Sequence, residues 1–115
     1  MKKPKAWVLD LDADTRDVVT NVLEQEGFVV LPFEFTSDLI GLRAAEPTVA
    51  VIDAWTARYS PRQTCAALAH GGVILMTTSE EQERVWASLG VNQVLRKPFA
   101  ADALRAAVRV MTKRR

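Results

Sequence analysis

Short apolar runs alternate with amphipathic stretches along the whole chain. The runs are rich in Val, Ile and Leu and occur at 6–11, 28–32, 48–53, 72–77 and 93–96. Apolar residues follow one another within them, without the polar alternation of a strand that has one face in water. This pattern predicts strands covered on both faces.

Between these runs, and after the last one, apolar residues recur at the spacing of an amphipathic helix. Helices are predicted near 14–26, 37–45 and 61–70, from Ser79 toward Gly90, and after Phe99. A capping box that pairs Ser79 with Gln82, or Thr78 with Glu81, marks the start of the fourth helix. Five strands and five helices in strict alternation predict an α/β fold, in which a parallel sheet carries helices on both faces.

Composition agrees with one ordinary globular domain that spans residues 1–115. The chain is 49% hydrophobic and 25% charged, with a formal net charge of +1. Such a balance gives no general attraction to nucleic acid or to an anionic membrane. No apolar run approaches the ~20 residues that cross a bilayer, and one cysteine allows no internal disulfide, so we expect a cytoplasmic protein.

Four of the apolar runs end in a polar residue. Asp10, Asp53 and Thr77 end the first, third and fourth runs, and Lys97 follows the fifth. Because parallel strands deliver their carboxyl ends to one edge of a sheet, we expect these side chains to meet there. Each alone is as well explained by a turn or a helix cap, but together they suit phosphoryl chemistry. Pro98 is expected to fix the turn that aims Lys97, through a cis peptide.

In that chemistry Asp53 is the candidate nucleophile toward a phosphoryl group. Asp10 and its neighbours are candidate oxygen ligands of a divalent cation. Lys97 and Thr77 would contact the phosphoryl oxygens. The sequence does not favour two other classes of protein. No Ser/His or Cys/His pair indicates a hydrolase. A binder of a phosphate-containing cofactor is disfavoured because three carboxylates after the first strand would repel the phosphate.

The chain resembles the receiver domains of two-component response regulators over nearly its whole length. The resemblance lies in "VLDLDADTR", "VAVIDAW", "VILMTT" and above all "VLRKPF". It implies a flavodoxin-like (βα)5 three-layer sandwich, strand order 2-1-3-4-5 and no enzymatic activity beyond self-catalysed phosphoryl transfer onto Asp53. It also implies Mg²⁺ as cofactor, a sensor histidine kinase as partner, Thr77 as switch hydroxyl and Lys97 as the phosphate-contacting lysine.

Two departures from the family pattern concern the metal and the switch. Leu11 stands where the family has a second acid, which leaves Asp10, a weaker candidate in Asp12 and the backbone of Trp55 as metal ligands. Asp12 is also a candidate cap of the first helix. Val94 replaces the switch aromatic, so the usual coupling to an aromatic rotamer cannot operate in its standard form.

These departures leave two interpretations of the same fold. In one, Asp53 still accepts a phosphoryl group; in the other, the domain is a phosphorylation-independent interaction or dimerisation module. Trp86, beside a Val85 expected to face the core, is predicted to lie on the flank of helix four, with packing of its ring on the edge of the core as the alternative. With Val94, Arg105 and Arg109 it would form a surface on helix four, strand five and helix five that suits a homodimer.

Overall fold

The computed structural model describes residues 3–42, 47–68 and 71–112. The elements follow one another as β1 (Lys5–Leu9), α1 (Ala13–Gln25), β2 (Val29–Phe33), α2 (Thr36–Gly41), β3 (Val49–Asp53), α3 (Pro61–Ala67), β4 (Gly72–Thr77), α4 (Glu80–Ala87), β5 (Gln93–Arg96) and α5 (Ala101–Thr112). The predicted alternation is confirmed. The predicted ends of the second and third helices, at 43–45 and 69–70, lie outside the described residues.

The five strands form one parallel sheet in the order β2-β1-β3-β4-β5. The central strands β1, β3 and β4 are almost wholly buried, as their continuous apolar runs predict. The edge strand β2 differs, because Val29 and Leu31 are exposed. The prediction that the strands are covered on both faces is therefore confirmed for the centre of the sheet and wrong for this edge.

Helices cover the sheet on both faces and create two apolar cores. One core lies under α1 and α5 and includes Val19, Leu23 and Leu104. The other lies under α2, α3 and α4 and includes Leu39 and Trp86. These layers are the predicted three-layer sandwich. None of the helices in the described part of the chain has the length and apolar character needed to span a membrane.

Helix boundaries follow local signals in most places. Gly27 and Gly90 have positive φ values of 95° and 91°, which glycine adopts without a Cβ penalty where α1 and the turns after α4 end. Pro61 stands at the start of α3, as predicted. The sequence "TSD" at 36–38 predicts a side-chain cap for α2, and this prediction is wrong, because Phe35 is the N-cap and no side chain bonds to the free amides there.

Helical spacing predicts that Val18 and Val85 face the core, and both predictions are wrong. Val18 of α1 and Val85 of α4 are 53% and 51% exposed. Val18 lies at the edge of the apolar stripe, beyond the residues that reach the sheet. In α4 the buried position is Trp86, one residue later than predicted, and one residue corresponds to a rotation of about 100° around a helix.

Candidate functional site

The carboxyl edge of the sheet gathers the four predicted polar residues. Asp53 and Thr77 are the last residues of β3 and β4, Asp10 follows β1, and Lys97 follows β5. These four strands are neighbours in the sheet. Asp10, Asp53 and Thr77 are buried, at 2%, 6% and 1% exposure. The expectation that strand order brings these residues to one edge is confirmed for their backbones.

Lys97 bridges the two carboxylates. Its Nζ donates to Asp10 Oδ2 at 2.8 Å and to Asp53 Oδ1 at 3.1 Å. The peptide bond between Lys97 and Pro98 is cis, as expected from the sequence. One ammonium therefore neutralises part of the charge of two buried acids, which burial without a partner would make costly.

Electrostatics within this cluster shift two pKa values. Burial is the main cause that raises the pKa of the Asp10 carboxyl, and the hydrogen bond from Lys97 only partly opposes it. Burial by itself lowers the pKa of Lys97, but the hydrogen bonds and charges of Asp10 and Asp53 outweigh it, and the net direction is upward. Lys97 is therefore held as a cation.

The second oxygen of Asp53 is bound by a residue that the sequence analysis missed. Asp53 Oδ2 accepts from the Thr56 amide at 3.0 Å and from the Thr56 hydroxyl at 2.6 Å. The hydroxyl in turn accepts from the Leu11 amide at 2.9 Å. The sequence contains a signal for this contact. An Asp three residues before a Thr has the spacing at which a side-chain carboxylate accepts hydrogen bonds from the start of a turn.

The hydroxyl of Thr77 makes its hydrogen bonds to α4 and the residues before it, and none of those found in the described part of the chain joins it to Asp53. The Thr77 hydroxyl lies 2.9 Å from Gln82 Oε1 and 3.1 Å from the carbonyl of Ser79, and it accepts from the Ser79 amide. Ser79 also caps α4, since its side chain accepts from the Gln82 amide. That half of the predicted capping box is confirmed, whereas the Gln82 side chain bonds to Thr77 instead.

The described residues do not fit the expected magnesium site in this conformation. The carboxylate of Asp12 accepts from the amide and hydroxyl of Thr15, so it caps α1. The carbonyl of Trp55 accepts from Arg58 at 2.8 Å. Leu11 supplies no side-chain oxygen, and the described part of the chain contains no group of three or more His, Cys, Asp or Glu residues that could hold a metal.

The predicted interaction surface is altered by the burial of its aromatic residue. Trp86 is 2% exposed and packs in the core under α4, so the prediction that its side chain lies on the flank is wrong. Val94 is half-buried against the same core. Arg105 and Arg109 bond to Gln25 and Glu26 at the end of α1, on the side of α5 away from α4.

A cavity of about 450 Å³ opens above the two carboxylates. Its lining residues are Asp10, Leu11, Asp12, Asp53, Trp55, Thr78, Gln82 and Lys97. Asp53 lies at its base, and the exposed Trp55 forms part of its rim. A small anionic group could enter here and meet the ammonium of Lys97.

Comparison with known proteins supports the fold through structure alone. No protein-family model matches the chain, and no curated protein sequence matches it. The BeF3-activated receiver domain of DrrB, a response regulator of Thermotoga maritima, has a TM-score of 0.84 at 24% identity, over 97% of this chain and 99% of that one. In the longer DrrB structure the match spans 54% of that protein.

A CheY-like response regulator from Mesorhizobium loti gives a similar result. Its TM-score is 0.81 at 20% identity, over 96% of this chain and 99% of that one. A further response regulator from Thermotoga maritima has a TM-score of 0.80 at 20% identity, with coverage of 97% and 99%. The chain therefore has the flavodoxin-like fold of response regulator receiver domains, and the predicted strand order and fold class are confirmed.

Proposed function

We propose that this chain is a single receiver domain of a phosphorelay and that Asp53 is its phosphoacceptor. The observation that carries the proposal is the bridge from Lys97 to Asp10 and Asp53 at the carboxyl edge of the sheet. A buried carboxylate beside a fixed cation, at the base of an open cavity, suits nucleophilic attack on a phosphoryl group that brings its own negative charge. The receiver fold of the chain supports the same function.

The geometry favours Oδ1 of Asp53 as the attacking atom. Oδ2 accepts two hydrogen bonds from Thr56, whereas Oδ1 accepts one from Lys97 and keeps a free lone pair. Attack of Oδ1 on the phosphorus of a phosphohistidine in a partner kinase would form a P–O bond and break the P–N bond. The imidazole leaves with the electron pair of that bond, and Lys97 can then pair with a phosphoryl oxygen.

Incubation with acetyl phosphate and Mg²⁺, followed by intact-mass measurement, tests this proposal. We expect the wild-type chain to gain the mass of one phosphoryl group and the Asp53→Asn variant to gain none. Asp53→Asn is the matched control because it keeps the size and shape of the side chain and removes the nucleophilic charge. Equal labelling of both proteins, or no labelling of either, would contradict the assignment of Asp53.

A second candidate is a phosphorylation-independent interaction module on the same fold. The observation in its favour is that Asp53 and Asp10 already have internal hydrogen-bond donors, while Leu11 removes an acid from the pocket. Under this alternative the chain would remain unlabelled, and a sizing column would show stable self-association that Asp53→Asn does not change. A monomer that accepts a phosphoryl group at Asp53 would exclude it.

A further inference from the structure

Thr56 occupies one side of the candidate phosphoacceptor. Its amide and hydroxyl reach Asp53 Oδ2 at 3.0 Å and 2.6 Å. A carboxylate oxygen has two lone pairs in the carboxylate plane, and these two donors use both. A cation that approaches Oδ2 must therefore displace one of them. The hydroxyl is the more readily displaced donor, because it can rotate about a side-chain bond and the amide cannot.

The hydroxyl of Thr56 is held in this orientation from a second direction. Its oxygen accepts from the Leu11 amide at 2.9 Å, and its own proton is directed at Asp53. The carbonyl of Thr56 accepts from the Thr36 hydroxyl at 3.1 Å, which fixes the backbone of the same residue to the start of α2. Thr56 thus joins its own loop to the loop after β1 and to the start of α2, and its bond to Asp53 is preorganised.

We infer that Thr56 is a positioning residue whose hydrogen bonds to Oδ2 of Asp53 keep a divalent cation from binding that oxygen. The negative charge of the pocket is then stabilised by hydrogen-bond donors of the chain itself in place of a metal. The inference rests on the proposed function only in taking Asp53 as the reacting carboxylate. It deepens that function by predicting a weak dependence on metal and by assigning this weakness to Thr56 as well as to Leu11. The hydroxyl also leaves Oδ1 as the oxygen that faces Lys97.

Magnesium titration by calorimetry tests the inference in a background that can bind the metal. The Leu11→Asp variant adds a carboxylate next to Asp10 in the pocket, and Thr56→Val is added to this variant. We expect the double variant to bind Mg²⁺ about tenfold more tightly than Leu11→Asp alone, because no charge-assisted hydrogen bond to Oδ2 has to be broken. Without the Leu11 change, Thr56→Val is expected to shift affinity in the same direction.

Two further variants separate positioning from a general structural effect. Thr56→Ser keeps the hydroxyl and should restore the affinity of its parent. Thr64→Val removes a hydroxyl of the same residue type in α3, where it bonds only to the Ser60 carbonyl, and should leave affinity unchanged. Equal or weaker Mg²⁺ binding in the Thr56→Val double variant, or no binding in any variant, would overturn the inference.

Failure of the role inferred for Thr56 can be distinguished from failure of the phosphoacceptor function proposed for Asp53. If Mg²⁺ affinity rises as expected but Asp53 stays unlabelled by acetyl phosphate in every variant, the role of Thr56 stands and the phosphoacceptor assignment fails. If Asp53 is labelled while Thr56→Val leaves Mg²⁺ affinity unchanged, the assignment stands and the role of Thr56 fails.

Discussion

Lys97 keeps two buried carboxylates compatible with a folded state. Its side chain is 21% exposed, and those of Asp10 and Asp53 are 2% and 9% exposed. Replacement of Lys97 by Met would leave both acids without their cation. We expect the free energy of unfolding in urea to fall by about 2–3 kcal/mol, somewhat below the range for a fully buried pair.

Arg96→Met is the matched control for this substitution. Arg96 pairs with Glu83 at 2.8 Å, but both side chains are well exposed, at 49% and 37%. An exposed pair contributes about 0–1 kcal/mol, so this variant should unfold near the wild-type midpoint. Equal losses for Lys97→Met and Arg96→Met would show that the buried bridge has no special role in stability.

Stability at alkaline pH should depend on the same lysine. The pKa of Lys97 in the folded state lies above its ordinary value of 10.5, so the folded protein binds this proton more tightly than the unfolded chain. The stabilisation is complete below pH 10.5 and is lost as the pH rises through the folded-state value. Urea midpoints of wild type and Lys97→Met should therefore converge above that pH.

The comparison of wild type with Lys97→Met also removes the contribution of a second group that titrates at alkaline pH. Burial raises the pKa of the Cys65 thiol, and this also weakens the fold as pH rises. Cys65 is present in both proteins, so the difference between them isolates Lys97. A difference that stays constant across the alkaline range would refute the pKa argument.

The positions of the charged residues at the site follow from the sequence, whereas the directions of its hydroxyl groups do not. Strand ends at Asp10, Asp53 and Lys97 predict a shared edge because backbone topology alone decides it. The hydroxyl of Thr77 turns toward α4 because Ser79 and Gln82 compete for it. Such choices depend on side-chain neighbours that are close only after folding.

The contact between α1 and α5 contains an ion pair with a defined pH response. Arg109 Nε donates to Glu26 Oε1 at 2.8 Å, and this hydrogen bond is the main cause that lowers the pKa of Glu26. Stabilisation from a lowered carboxylate pKa is present above the ordinary value of 4.5 and is lost as the pH falls through the folded-state value. We expect the Tm of wild type to exceed that of Glu26→Gln at neutral pH and to approach it in acid.

A Tm difference that persists unchanged at low pH would contradict this expectation. Glu24→Gln offers a control on the same helix, because Glu24 has no ion pair among the described residues. It should show no comparable change in Tm difference with pH. A response of equal size in both variants would assign the effect to the overall charge of the helix rather than to the pair with Arg109.

Element order was predictable from the sequence, and the burial of individual helix residues was less so. Continuous apolar runs identified five strands and helical spacing identified five helices, because the sheet buries both of its faces and each helix buries one. In α4 the apolar neighbours Val85 and Trp86 are separated by one step of rotation, and periodicity over so short a helix does not decide which one faces the sheet. The larger indole fills the core, and valine faces water.

The two faces of the sheet place different demands on the domain. Under α1 and α5, many branched side chains form the core, whereas the core under α2, α3 and α4 includes the rings of Trp7, Phe33 and Trp86, and α4 contributes the indole of Trp86. Helices α2, α3 and α4 have 6, 7 and 8 residues, compared with 13 in α1 and 12 in α5. Short helices gain most of their stability from tertiary packing, so this face should depend strongly on that indole.

Replacement of Trp86 by Leu tests whether this side chain maintains the fold or a surface. It leaves a cavity under α4, and we expect a loss of about 2–3 kcal/mol, below the 3–5 kcal/mol of truncation to Ala. Val85→Ser on the same helix should cost less than about 0.5 kcal/mol, because Val85 is exposed. Urea unfolding gives both values, and a sizing column should show the same elution volume for both variants and the wild type. Unchanged stability with an altered oligomeric state in Trp86→Leu would instead place the indole at an interface between chains.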